Sequence, residues 1–163
     1  MIGVTLVGQT PSWRATMVSP NEPGEPLILS GTVYQRDGRT PAAGVRVRIY
    51  HTDASGVYSR DGDGESSPRL QAIVHTNEDG RYEVRTIVPG AYPGQRTTAA
   101  HIHMMVSVSG GTEQNATFSV AGDPRLTQAD YQKHGQAGTF SAIRPIERDP
   151  NGSLRAVRDI RLR

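Results

Sequence analysis

The stretch His101-Ile102-His103-Met104-Met105-Val106-Ser107-Val108 decides the fold. Successive side chains of a strand point to opposite faces. Ile102, Met104, Val106 and Val108 therefore share one face, and His101 and His103 point together from the other. A period of two with one apolar face marks a strand half-buried against a core. Val45-Arg46-Val47-Arg48-Ile49 repeats the pattern: its aliphatic residues face inward, and Arg46 and Arg48 read as a solvated face.

Similar runs extend in both directions. They span Leu27–Tyr34, Gly44–His51, Arg69–His75, Arg81–Val88, Asn115–Val120, Thr139–Arg144 and Leu154–Leu162. Between runs stand Asp37-Gly38, Asp79-Gly80, Gly110-Gly111 and Asn151-Gly152, dipeptides that supply the positive φ of tight turns. The expectation is an all-β chain, a single β-sandwich of about eight short strands, antiparallel or mixed, with long connecting loops. Leu126–Lys133 reads as a short helix. Residues 27–163 form the sandwich domain, and residues 1–26 an N-terminal arm whose Gln9–Pro26 part carries no regular structure.

Composition narrows the functions. A chain of 163 residues is one domain's worth. A net charge of +2, with Lys133 the sole lysine and the arginines scattered, argues against nucleic-acid binding. The absence of cysteine removes disulfides, zinc–thiolate sites, iron–sulfur clusters and thiol nucleophiles. Met1 to Gly8 is too short and lacks the basic start of a signal peptide, and no apolar run approaches a membrane span. The expectation is a soluble cytoplasmic protein with no membrane partner.

Two histidines at i and i+2 on one strand face are near enough to share a metal ion, but on their own they read as a wet sheet face. Their surroundings change the weight. Tyr58 ends Ser55-Gly56-Val57-Tyr58, and Tyr92 lies within Gly90-Ala91-Tyr92-Pro93-Gly94. Two tyrosines beside glycine turns, with a His-x-His strand, fit a site that needs hard anionic oxygen plus imidazole. A phenol with a pKa of roughly 10 becomes phenolate at neutral pH only beside strong positive charge. Ferric iron supplies that charge, and phenolates favour it over ferrous iron; zinc takes His, Cys or carboxylate instead.

The segments Tyr50-His51-Thr52-Asp53-Ala54-Ser55-Gly56-Val57-Tyr58, Gly80-Arg81-Tyr82 through Thr86-Ile87-Val88-Pro89-Gly90-Ala91-Tyr92-Pro93, Ala100-His101-Ile102-His103 and Gly122-Asp123-Pro124 resemble, in order and spacing, the iron-ligand segments of the intradiol ring-cleaving dioxygenases, which include catechol and protocatechuate enzymes. The resemblance runs from about Leu27 to the C-terminus. It implies one Fe(III) per chain, with Tyr58 and His101 as equatorial ligands, Tyr92 and His103 as axial ligands, and Tyr92 displaceable as an internal base. It also implies a small aromatic diol and O2 as reactants, a muconate-type product, and compatibility with homo-oligomers.

The chain departs from the family at four positions, Thr98, Ala99 (Pro in the family), Thr117 and Tyr50. Where the family usually reads Arg-Pro-x-His-x-His, Thr98 stands at the Arg, and the family's downstream Gln aligns with Thr117. Thr98, Thr117 and Tyr50 (Trp in the family) are the expected substrate-binding residues, and Arg96 is the candidate to replace the missing cation, against its plain reading as a solvated loop arginine. Two alternatives stand beside the enzyme: an iron-binding relative without ordinary catechol turnover, and a transthyretin-like β-sandwich binding module. His51 and His75 read as structural or wet, His134 as a loop residue, and Asp61–Glu65 as a flexible loop near the site mouth.

Overall fold

A computed structural model describes residues 11–59 and 64–163. Its strands are β1 (Arg14–Thr16), β2 (Pro26–Tyr34), β3 (Arg46–His51), β4 (Leu70–His75), β5 (Arg81–Ile87), β6 (His101–Ser107), β7 (Gln114–Asn115), β8 (Phe118–Val120), β9 (Ile143–Arg144), β10 (Glu147–Arg148), β11 (Leu154–Val157) and β12 (Ile160–Arg161); α1 covers Gln128–Gly135. They form two sheets. One runs β1-β5-β2-β11-β10 with β12 also on β2, and the other β4-β3-β6-β8-β9 with β7 also on β6. The pairing is mixed, since β1, β11, β12 and β9 pair in parallel. The expected β-sandwich is what the chain forms. Among the described residues no helix is long and apolar enough to cross a membrane.

The core lies between the sheets. Leu27, Leu29 and Val33 of β2 and Tyr82 and Val84 of β5 meet Val47 and Ile49 of β3 and Ile102, Met104 and Val106 of β6, all buried. The alternation read from the sequence holds residue by residue along β6 but ends with it, since Val108, expected on the core face, lies beyond the strand and is exposed. On β3 it has an added consequence: His51 falls on the core side with Val47 and Ile49, and Tyr50 on the outer side with Arg46 and Arg48. His51 is structural, its Nε2 2.7 Å from the Thr86 hydroxyl and its Nδ1 2.6 Å from the Thr52 carbonyl oxygen. Burial holds its pKa down at about 4, so the ring is neutral.

Several expected strands are broken, and the arm is not without structure. Asn115–Val120 splits at Ala116-Thr117 into β7 and β8, and Leu154–Leu162 splits at Arg158-Asp159 into β11 and β12. Thr139–Arg144 gives only β9, because Gly138–Phe140 winds into a 3-10 turn. The arm contributes β1, which pairs with β5. The helix starts later than expected, behind a capping box in which Thr127 and Asp130 satisfy each other's backbone N–H groups, and it includes His134. Asp61, Gly62 and Asp63 of the expected Asp61–Glu65 loop lie outside the described residues, as do Gln9 and Thr10 of the arm.

Arg158 holds the breaks together. It is buried, and its guanidinium donates to the carbonyl oxygens of Ala116 at 3.2 Å and Phe140 at 2.9 Å, so one cation serves both interruptions. Gly31 makes room for it, since a Cβ there would lie 2.1 Å from the Arg158 carbonyl oxygen. Arg158→Met strips these carbonyls of donors in a site closed to water. We expect a stability loss of about 2–4 kcal/mol by urea denaturation; a loss below about 0.5 kcal/mol would mean that water replaces the guanidinium.

Candidate metal centre and cleft

The site sits on the outer face of the second sheet. The pleat of β6 turns His101 and His103 outward, and the β3–β6 register sets Tyr50 directly opposite His103. Their rings stack 4.5 Å apart at 9°. The Arg48 guanidinium lies 4.7 Å from the Tyr50 ring centroid, so Arg48 is tied to this cluster rather than simply solvated.

Tyr58 and Tyr92 arrive from two loops that meet backbone to backbone. The Asp53 carboxylate accepts from the backbone N–H groups of Ser55 at 2.9 Å and Val57 at 3.1 Å and from the Ser55 hydroxyl at 2.7 Å, folding a tight turn before Tyr58. The Asp53 carbonyl accepts from the N–H of Gly56 at 3.0 Å and of Gly90 at 2.9 Å, which joins the loops. Thr52 adds a hydroxyl bond to the Gly90 carbonyl at 2.7 Å. Both glycines are needed: a Cβ on Gly56 would lie 2.0 Å from the Ala91 oxygen, and one on Gly90 2.5 Å from the Ala54 oxygen. Gly56 also has φ +85°.

The result is a cluster of four donor atoms. The Tyr58 hydroxyl abuts the Tyr92 hydroxyl and lies 2.8 Å from His103 Nε2. The Tyr92 hydroxyl is 3.2 Å from His101 Nε2, and the two Nε2 atoms are 3.1 Å apart. His101 Nδ1 lies 2.8 Å from the Ala99 carbonyl oxygen. That bond places the proton on Nδ1 and turns the Nε2 lone pair into the cluster. Donors at right angles about one ion, with bonds of about 2.0–2.1 Å, stand about 2.9 Å apart. These side chains therefore fit a single small cation. Burial first, and then the Tyr92 contact, push the Tyr58 phenol well above its usual range, so without a cation it stays protonated. Burial, and then His101, lower His103, which favours the neutral ring a metal needs.

Beside the cluster opens a cleft of ≈ 340 Å³. Its lining includes His101, His103, Thr98 and Thr117, together with Asp130 and His134 of α1. Thr98 and Thr117 are thus brought to the histidines. Among the described residues, the Thr117 hydroxyl is buried without a hydrogen-bond partner. Tyr50 is placed behind His103, outside the cleft lining. Arg96 is exposed and is not part of the lining. Asp130 and His134 reach the cleft because α1 runs through Gly135 and so carries both on one helix, which the local sequence pattern does not reveal. Glu65 is also drawn in, its Oε1 3.0 Å from the Tyr50 hydroxyl and 3.3 Å from His103 Nε2.

A family model described as Dioxygenase matches residues 7–163. The chain belongs to the intradiol ring-cleavage dioxygenase family. It is 35% identical over 126 residues to catechol 1,2-dioxygenase 1 of Acinetobacter lwoffii, an alignment covering 67% of this chain and 40% of that protein. The chain therefore spans about two-fifths of the length of this relative. The dioxygenase domain of a dioxygenase–carbohydrate-binding protein fusion from Streptomyces sp. SirexAA-E superposes with a TM-score of 0.70 at 23% identity, covering 99% of this chain and 95% of that one, a likeness of fold. Catechol 1,2-dioxygenase from Acinetobacter sp. ADP1 gives 0.67 at 26% identity, over 93% and 57%.

Within this family frame, Gly122-Asp123-Pro124 has a physical role. Asp123 accepts from the Ala100 N–H at 2.9 Å and from the Arg125 N–H at 2.9 Å, and pairs with the Arg125 guanidinium at 3.2 Å, which fixes the chain just before His101. Burial raises its carboxyl pKa, but these bonds outweigh burial and leave it below the usual range.

Two outcomes follow. Gly56→Ala and Gly94→Ala both place a side chain at positive φ, but Gly94 has open space around it, whereas Gly56 faces the Ala91 carbonyl. We expect Gly56→Ala to lose more stability than Gly94→Ala by about 1–3 kcal/mol in denaturant titrations. Equal losses would show that φ strain acts alone. Second, a carboxyl whose folded pKa lies below its unfolded value stabilises fully above the ordinary range of about 4 and loses that contribution as pH falls through the folded value. We expect Asp123→Asn to flatten the acid side of the stability–pH curve relative to wild type; parallel curves would remove Asp123 from the linkage.

Proposed function

We propose that this domain holds one ferric ion through Tyr58, Tyr92, His101 and His103, and cleaves a catechol-type ring between its two hydroxyl-bearing carbons. One O2 is consumed, both of its oxygen atoms enter the product, and the product is a muconate-type diacid. The observation that carries the reading is the convergence of two phenol oxygens and two imidazole Nε2 atoms at spacings of 2.8–3.2 Å on a family scaffold. A transthyretin-like binding module has no use for such a cluster. Ferric iron, when bound, supplies the charge that draws a diol in as its dianion and opens the ring to O2.

The chain's residues divide the work by their anchoring. Tyr58 is buried and its backbone carbonyl accepts from the Arg69 N–H at 2.9 Å, so it stays in place. Tyr92 is less buried and on a loop, and its phenolate oxygen is the one suited to move away and accept a substrate proton. His101 is held in one tautomer by the Ala99 carbonyl. The cleft has room for one substituted ring. Leu126 and Ile143 offer it apolar contact, and the unpartnered Thr117 hydroxyl is placed to bond a substrate oxygen. With Thr98 in place of a cation and Arg96 outside the lining, charge building on the ring meets the hydroxyls of Thr98 and Thr117, with Asn115, Asp130 and His134 also in the lining. A catechol bearing a further polar group regains binding energy from these walls that plain catechol lacks.

Protein purified from an iron-replete host should be red, from phenolate-to-iron charge transfer, with one iron per chain, and should take up oxygen with catechols. Colourless protein carrying stoichiometric zinc overturns the reading. His101→Ala should lose iron more completely than Tyr92→Phe, measured by metal analysis; equal and complete loss in both contradicts the roles assigned to them.

A further inference from the structure

Glu65 lies in the 3-10 turn Gly64–Ser66, and its side chain is 51% exposed. A half-exposed carboxylate near a histidine is ordinarily a weak surface pair. Three observations set this one apart. Its Oε1 approaches Nε2 of His103, the same atom that faces the Tyr58 hydroxyl and His101 Nε2. The 3.3 Å separation is close to the spacing within the donor cluster itself. The oxygen is also aimed: the Tyr50 hydroxyl donates to it at 3.0 Å, and Tyr50 is fixed by stacking on His103 and by the Arg48 guanidinium.

A carboxylate oxygen and an imidazole lone pair are both acceptors. Facing each other at this distance they need a proton or a cation between them. The metal reading requires Nε2 of His103 to carry a lone pair, so a cation shared by both atoms resolves the contact. Charge arithmetic points the same way. Two phenolates reduce the three positive charges of a ferric ion to one, and a single carboxylate brings the centre to neutrality, which lowers the penalty of partial burial.

We propose that Glu65 supplies a fifth donor to the ion in the substrate-free protein, steered by the Tyr50 hydroxyl, and yields its place when the diol binds. The inference rests on the ferric reading above. The half-exposed side chain has solvent to turn into, and the diol dianion restores the negative charge withdrawn. Tyr50 thereby acts as a positioning residue, oriented toward Glu65 rather than toward the cleft.

The test uses the iron-loaded protein and its Glu65→Ala, Glu65→Gln and Tyr50→Phe variants, with folding checked by circular dichroism. Loss of the carboxylate should speed iron release to a chelator by roughly 10–100-fold and shift the visible charge-transfer band and the ferric electron paramagnetic resonance signal. Tyr50→Phe should give a smaller change in the same direction. Added acetate should return the Glu65→Ala spectrum toward wild type and leave wild type unmoved. A red wild type whose Glu65→Ala and Glu65→Gln forms keep the same band, resonance and release rate overturns the fifth-donor role while leaving the ferric reading intact. A colourless, iron-free wild type overturns both.

Discussion

The pleat of β6 is the constraint from which the rest follows. Ile102, Met104 and Val106 are driven inward by burial of apolar surface, and the geometry of a strand then leaves His101 and His103 no choice but to stand side by side outside. A slip of one residue would put both imidazoles in the core and the aliphatic residues in water. The hydrophobic effect thus sets two imidazoles side by side, with their Nε2 atoms 3.1 Å apart. Pairing with β3 extends this order sideways, because the same register that matches Ile49 to Met104 inside matches Tyr50 to His103 outside.

The tyrosines are held differently. They come from loops, where position depends on hydrogen bonds and close approach instead of pleat. Asp53 and the glycines at 56 and 90 press the loops together until the two hydroxyls touch. This leaves a group of polar atoms crowded around one point, an arrangement that is unfavourable in isolation and favourable around a cation. Folding energy from the sandwich holds them there in advance.

Where a single physical signal dominated, the sequence was readable. Alternation in β3 and β6 gave the strand faces, and the turn dipeptides and tyrosine segments gave the order of the donors. The errors lie where tertiary partners overrule local pattern. Nothing local in Arg155–Leu162 says that Arg158 will be buried and will interrupt the strand, since its partners Ala116 and Phe140 are distant in sequence. The same bond interrupts Asn115–Val120 at Ala116. β1 has no apolar alternation of its own and exists because β5 offers an open edge. His134 looked like loop because Gly135 follows it, yet the helix runs through both and is capped only at Gln136. Glu65 carried no periodic signal at all; its contacts with Tyr50 and His103 are tertiary.

The arm does more than add a short strand. The Ser12 carbonyl accepts from the His75 N–H of β4 at 2.9 Å, the Trp13 carbonyl from Glu83 of β5 at 2.9 Å, and the Met17 N–H donates to the Arg85 carbonyl at 2.9 Å. One segment therefore stitches an edge of each sheet along the same side, turning an open sandwich into one with a sewn seam. Unpaired edges are templates on which strands of other chains can add. The seam withholds β5, and part of β4, from such recruitment, on a different part of the molecule from the face that carries His101 and His103.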